Sequence, residues 1–321
     1  MVFLRVKSFN LKDHRITLIR HIVQIVAFLI INYIILEFIF SINLLSLENL
    51  VKVLPVLNSP RNPLSKGAGI LEYIFYLLAQ GIFPFLLIAI LVIVLILSNR
   101  FFCGWICPIG SIQDFCAIFP VKKKMVKNRG FLNHRFLLNI KYVFIIVLVI
   151  IIIPLGVSKN TNVLFYLQFK TQLGLFADKP VGFFSLSEFI FVQLPKIIEE
   201  IFLNASLEPL FPSFWGFLIY AFYFLVIILS FWYPRIYCRY FCPFAAIASV
   251  VSDFSFLKLS RNPVKCVGRS ECGVCERICP KQIKILDEPF EFFTGKGECN
   301  LCLKCKESCP YDAINIKFLR Y

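Results

Sequence analysis

Two stretches of this chain close a long apolar run in the same way. Residues 100–110 read RFFCGWICPIG and residues 235–245 read RIYCRYFCPFA. Each offers an Arg, a Cys three residues on, and then Cys-x3-Cys-Pro. The runs before them, about 79–98 and 213–233, have two companions at about 17–40 and 137–156. A helix needs about 20 apolar residues to cross a bilayer core, and each run reaches that length. Composition agrees, because 59% of the 321 residues are hydrophobic and only 17% are charged, which does not suit an ordinary soluble domain. The expected fold is an all-α four-helix transmembrane domain over residues 1–253, made of two parallel two-helix repeats. Each repeat ends in Asp-Phe, at Asp114-Phe115 and Asp253-Phe254. The second run has an apolar approach from Ile70 interrupted by Gly81 and Pro84, so a tilted helix, or a short helix leading into the span, is expected there.

Loop charge sets the orientation. Lys and Arg dominate the N-terminal tail and the loop after the second run, which includes the KKK at 122–124. Residues 41–78 and 157–212 are balanced. The positive-inside rule then puts both termini in the cytoplasm of a multi-pass plasma-membrane protein. It also accounts for the net charge of +15 without a nucleic-acid partner. The first run is too long for a signal peptide and lacks a small-residue cleavage site, so it is read as a span. The apolar segment 183–203, with Pro195 inside it, is expected to lie along the outer membrane surface.

From about residue 254 the Phe/Ile/Leu runs give way to Gly, Pro, Lys and Cys, marking a separate tail domain over residues 254–321. It holds Cys266-x5-Cys272-x2-Cys275-x3-Cys279-Pro280 and Cys299-x2-Cys302-x2-Cys305-x3-Cys309-Pro310. Such spacing lets one loop present several thiolates to one metal centre, and it implies a reducing compartment, not a disulfide framework. Zinc is the alternative, though neither group contains a His.

The cysteines at the helix ends raise a different question. Cys103 and Cys107, like Cys238 and Cys242, lie one turn apart on one face if the span's helix continues through them. The Pro that follows puts the second Cys of each pair at a helix boundary. Together the pairs can offer four thiolates to one redox or metal centre on the cytoplasmic side. Two separate dithiols, a soft-metal site or simple packing stay open as alternatives. Cys116 has no counterpart in the repeat. Two ionisable groups in the first run, His21 and Glu37, are candidates for quinone-proton handling. With three His in all and no facing pair, haem is not expected, and no Gly-rich phosphate loop is present.

The second tail group matches the run C-x2-C-x2-C-x3-C-P of bacterial two-cluster ferredoxins, and the first departs from it by the five residues VGRSE after Cys266. That resemblance implies two [4Fe–4S] clusters in an α+β ferredoxin-like tail. One is held by Cys266, Cys272, Cys275 and Cys309, the other by Cys299, Cys302, Cys305 and Cys279. It also implies short strands after each Cys-Pro, at KQIKIL and YDAINI. The whole arrangement of four spans, two Cys-x3-Cys-Pro motifs and a two-cluster tail resembles the NapH/NosR-type family of membrane-bound polyferredoxins. The resemblance implies electron transfer between the membrane quinone pool and a redox partner, as the electron-transfer subunit of a quinol-dehydrogenase-type oxidoreductase. The alternative it carries is a redox-driven maturation factor for a metalloenzyme, as in CcoG- or NosR-like members. NosR-type members add an external flavin domain; the loops here are too short for one, so no flavin is expected.

Overall fold

The computed structural model describes residues 15–31, 70–118, 134–173 and 214–318, with short pieces between 181 and 202. Glu37 with the rest of the first apolar run from residue 32, the KKK at 122–124, and Pro195 with other parts of 183–203 lie outside the described residues. The first repeat runs through α1 (Arg15–Ile31), α2 (Ile70–Ala79), α3 (Phe85–Ser98), α4 (Phe101–Trp105) and α5 (Pro108–Cys116). The second runs through α6 (His134–Thr161), α7 (Val163–Leu173), α8 (Phe214–Ser230), α9 (Ile236–Tyr240) and α10 (Pro243–Ser252). The tail adds β1 (Leu257–Arg261), α11 (Gly268–Glu271), α12 (Val274–Ile278), α13 (Lys304–Glu307) and β2 (Ile314–Phe318).

The approach from Ile70 is a separate short helix, as one of the two expected forms had it. Gly81 turns the chain at φ +76° between α2 and α3, a conformation that costs glycine nothing. Among the described residues one helix, Phe136–Thr161, is long and apolar enough to cross a membrane. The other apolar helices have 10–17 residues, shorter than the 20 or so that a crossing takes. Their outward faces are still greasy: Ile22 and Ile25 on α1, Phe85 and Leu86 on α3, Ile146 and Ile150 on α6, and Phe224 and Leu225 on α8 are all exposed. Apolar surface of that extent marks contact with lipid or protein.

Inside, Leu71, Phe75 and Ala79 of α2 pack on Leu148, Ile152 and Leu155 of α6. The backbones approach closely there, since a Cβ at Gly156 would stand 2.1 Å from the carbonyl oxygen of Leu78. Ile70, Ile74, Leu91 and Leu95 close around Ala248 of α10, so the two repeats share a core.

The helix does not continue from span to cysteines, contrary to the simplest reading of the spacing. It breaks at Asn99, with φ 57°, and again between α8 and α9, where Arg235 takes the left-handed conformation. The Pro prediction holds: Cys107 and Cys242 are the non-helical N-cap residues of α5 and α10, with Pro at the first turn.

In the tail, β1 and β2 form an antiparallel pair from Leu257↔Phe318 to Arg261↔Ile314. YDAINI therefore leads into a strand, but KQIKIL does not. Its partner's place is taken by β1, which precedes both cysteine groups. Pro280 cannot donate to a ladder, Gln282 has φ 54°, and Lys281 is pulled into the interior, so the segment ends in a single 3-10 turn at Ile285–Asp287.

Candidate functional site: thiol-lined cavities at the helix ends and in the tail

The short helices α4 and α9 bring the four helix-end cysteines together. Cys103, Cys107, Cys238 and Cys242 all line one cavity, with Phe102, Ile109, Tyr237 and Phe244 as its apolar wall. Burial raises the Cys107 thiol well above its ordinary range, and its neighbours Cys238, Cys103 and Cys242 raise it further. Burial and Cys238 push Cys242 up to about 12. These thiols are dry and stay protonated, and a metal centre bound among them would displace their protons. Glu72, Arg100, Arg235, Lys281 and Ser185 also line the cavity, and all are buried.

Two buried carboxylates organise the cations around it. Asp114 accepts two hydrogen bonds from Arg235, from Nε at 2.8 Å and Nη2 at 2.6 Å. It also accepts one from Gln24 Nε2 at 2.9 Å and has Arg20 at 3.5 Å. Burial works to raise this carboxyl, but Arg235 and Arg20 overcome it and hold it well below the usual range. The left-handed backbone of Arg235 also lets its guanidinium donate to the carbonyl of Cys103, at 2.9 Å. Glu298, on the tail, takes Arg100 at 3.1 Å, Lys281 at 3.8 Å and Lys141. Burial opposes its ionisation, yet Arg100 and the two lysines bring it down to about 2. The repeat is thus broken in its chemistry. Arg235 uses the first repeat's Asp, whereas Arg100, at the equivalent place, uses the tail, and the Asp253 carboxylate accepts from the Thr294 hydroxyl at 2.6 Å.

A second cavity lies in the tail. It is lined by Cys279, Cys299, Cys302 and Cys305, with Leu259, Ile285 and Phe293 around them. These are the four residues that the ferredoxin resemblance assigns to one cluster, including the ligand that crosses from the first group. Burial pushes Cys279 up to about 11 and Cys299 up to about 12. The other set is more open. Cys275 has Cys266 and Cys272 near enough to raise it, after burial, to about 11. The Ala313 N–H donates to Cys309 Sγ at 3.3 Å, Asn262 N–H to the Ala313 carbonyl at 2.8 Å, and Cys266 N–H to the Asn262 carbonyl at 3.1 Å. That chain of hydrogen bonds holds Cys266 and Cys309 in one corner despite the five-residue spacing after Cys266, three more than the ferredoxin run has. Among the described residues no group of three or more His, Cys, Asp and Glu is placed to hold a metal ion.

The cavities are neighbours. Lys281 lines the first while Cys279 and Pro280 line the second, and Lys281 Nζ donates to the Cys238 carbonyl at 3.1 Å. Trp105 Nε1 donates to the Leu301 carbonyl at 2.9 Å, locking the tail onto α4. His21 is half-buried on α1 and its Nδ1 lies 2.9 Å from Gln24 Oε1, one link from Asp114. The sequence showed the Arg before each motif but not its role. Gln113, Glu72, Lys281 and Glu298 had no signal there, because only the folded packing brings them to the thiols.

A family model described as a 4Fe-4S binding domain matches this chain twice, at residues 80–127 and 215–262. Among curated proteins, the putative electron transport protein YccM of Escherichia coli is 28% identical over 225 residues, 70% of this chain and 52% of that one. Regulatory protein NosR of Stutzerimonas stutzeri is 24% identical over 214 residues, 66% of this chain and 24% of its own length. The chain resembles the NosR/NapH-type iron–sulfur membrane proteins, a likeness that the two 4Fe-4S matches and the similarity to YccM and NosR support. Its two matched stretches each begin in the later part of a repeat, and each contains one Cys-x3-Cys-Pro motif. A ferredoxin of Methanothermococcus thermolithotrophicus is also 32% identical over 53 residues, 87% of that short chain. No solved structure matches. This chain is an iron–sulfur electron-transfer protein related to YccM and NosR.

Proposed function

We propose that this polyferredoxin passes electrons between quinone in the membrane and a redox partner, as the electron-transfer component of a quinol dehydrogenase. The observation that carries the reading is the seating of a four-thiol tail cavity directly against the ends of apolar helices. Bound there, [4Fe–4S] clusters supply one-electron transfer at a potential set by ligation, hydrogen bonding and solvent exposure. The ligand sets are Cys279, Cys299, Cys302 and Cys305 for the enclosed cluster, and Cys266, Cys272, Cys275 and Cys309 for the more exposed one. In this reading four spans cross the plasma membrane, both termini are cytoplasmic, and the two ligand sets form a tail domain over 254–321. His21 and the Gln24–Asp114 pair behind it offer a route for quinol protons, and Glu37 is a second proton acceptor.

Replacing Cys279 or Cys305 with Ala is expected to cost the same single cluster, about four irons per chain. Iron and sulfide assay of the anaerobically purified variants reads it. Different losses from the two would break the proposed cross-ligation. The quinone role is tested by reducing the full chain with dithionite, removing the excess, and adding a water-soluble menaquinone analogue. Rapid return of the oxidised visible spectrum is expected. Clusters that stay reduced yet respond to ferricyanide would exclude quinone. They would favour the redox-driven maturation reading, which the relative named regulatory protein NosR supports.

A further inference from the structure

We infer that the helix-end cavity is a third iron–sulfur site, a [4Fe–4S] cluster shared between the two repeats, with Cys103 and Cys107 from one and Cys238 and Cys242 from the other. Each repeat matches the 4Fe-4S family model by itself, yet neither can supply a full ligand set. The first matched stretch holds Cys103, Cys107 and Cys116, and the second only Cys238 and Cys242. Cys116 is not among the residues that line the cavity. Four thiolates exist only across the repeat interface.

Charge argues for the same occupant. Arg20, Arg100, Lys141, Arg235 and Lys281 are all buried around this cavity, against the carboxylates Glu72, Asp114 and Glu298. A sixth buried cation, Arg239, interacts with Cys279 and belongs with the tail cavity. Three of these groups, Arg100, Arg235 and Lys281, line the cavity beside one carboxylate, Glu72, and a buried charge is strongly destabilising unless compensated. A cubane core ligated by four thiolates is anionic in both of its common oxidation states, so it supplies negative charge where Arg100 and Arg235 line the cavity. Arg100 is 1% exposed, its Nε has no hydrogen-bond partner among the described residues, and it lines the cavity. Gln113 Nε2 already donates to Cys238 Sγ at 3.2 Å, the kind of bond that tunes a cluster's potential.

The test is metal content and spectroscopy of the full chain, purified anaerobically, and does not depend on quinone. Wild type should carry about twelve irons, and Cys107→Ala and Cys242→Ala should each carry about eight. Because the site is shared, the double variant should also carry about eight and lose no further EPR or Mössbauer component. A wild-type content of about eight irons, whatever other metal is present, overturns the site even if the variants fail to fold. Losses that add in the double variant overturn the sharing. Gln113→Leu keeps all the cysteines; it should retain the iron and lower the potential of one component only. An unchanged potential there would overturn the assignment of that component to this cavity.

Discussion

Asp114→Asn should destabilise the folded chain by about 3–5 kcal/mol, the cost of removing one partner from a buried ion pair. The carboxylate is 4% exposed and neutralises Arg235 while holding Arg20 nearby. An amide keeps the shape but leaves two buried guanidinium groups without a counter-charge. One acceptor then faces donors that Asp114 had satisfied with two oxygens. Arg235 also fixes the carbonyls of Cys103 and Gly104, so its release loosens the thiol cavity itself. The folded carboxyl titrates below its unfolded value. The pair's contribution is therefore present above about pH 4 and is lost only as the pH falls beneath that range. Asp253→Asn is the control, because Asp253 closes the second repeat in Asp-Phe as Asp114 does the first, four residues further past its Cys-Pro. That carboxylate is exposed and accepts from Thr294, so its loss should cost about 1 kcal/mol. Denaturant titration of both variants in mixed micelles decides it. Equal costs would mean that the buried pair contributes nothing special.

That contrast also marks what the sequence can and cannot say. The repeat was legible because it is a local pattern: an apolar run, an Arg and two spaced thiols. The break at the helix boundary was legible too, since Pro108 and Pro243 restrict the residue before them. The departure of the helix at Asn99 and Arg235 was not, because each left-handed residue is held by contacts made only after folding. Asn99 Nδ2 donates to the Leu257 carbonyl, and Arg235 is clamped by Asp114 more than a hundred residues away. The two tail cysteine groups stood out by their spacing, and the fold gathers Cys279, Cys299, Cys302 and Cys305 around one cavity. β1 was missed because LKLSR is short and the attractive match lay after the Cys-Pro pairs. The cations of the cavity were invisible for a further reason. Lys and Arg in a basic chain read as topology signals, and only burial separates Arg100 and Arg235 from the rest.

Gly104→Ala should undo the docking of the tail. In an ordinary helix the same change favours folding by up to about 1 kcal/mol. Here the new Cβ would stand 2.1 Å from the carbonyl oxygen of Asn300, and that atom is backbone. Asn300 sits between Cys299 and Leu301, the latter fixed to Trp105, so the loop cannot step aside without moving Cys299, which lines the tail cavity. Overpacking of this kind costs about 1–3 kcal/mol, which outweighs the helix gain. If the strain is relieved by lifting the tail, the undocked fraction rises about tenfold for each 1.4 kcal/mol. Limited proteolysis should then release the tail faster than in wild type by that factor. Electron exchange between the membrane side and the tail clusters should slow in step, while total iron stays near the wild-type value. Wild-type proteolysis with slowed exchange would place the strain inside the cavity. Wild-type behaviour in both would show that the carbonyl yields freely and that close backbone contact at Gly104 is not what seats the tail.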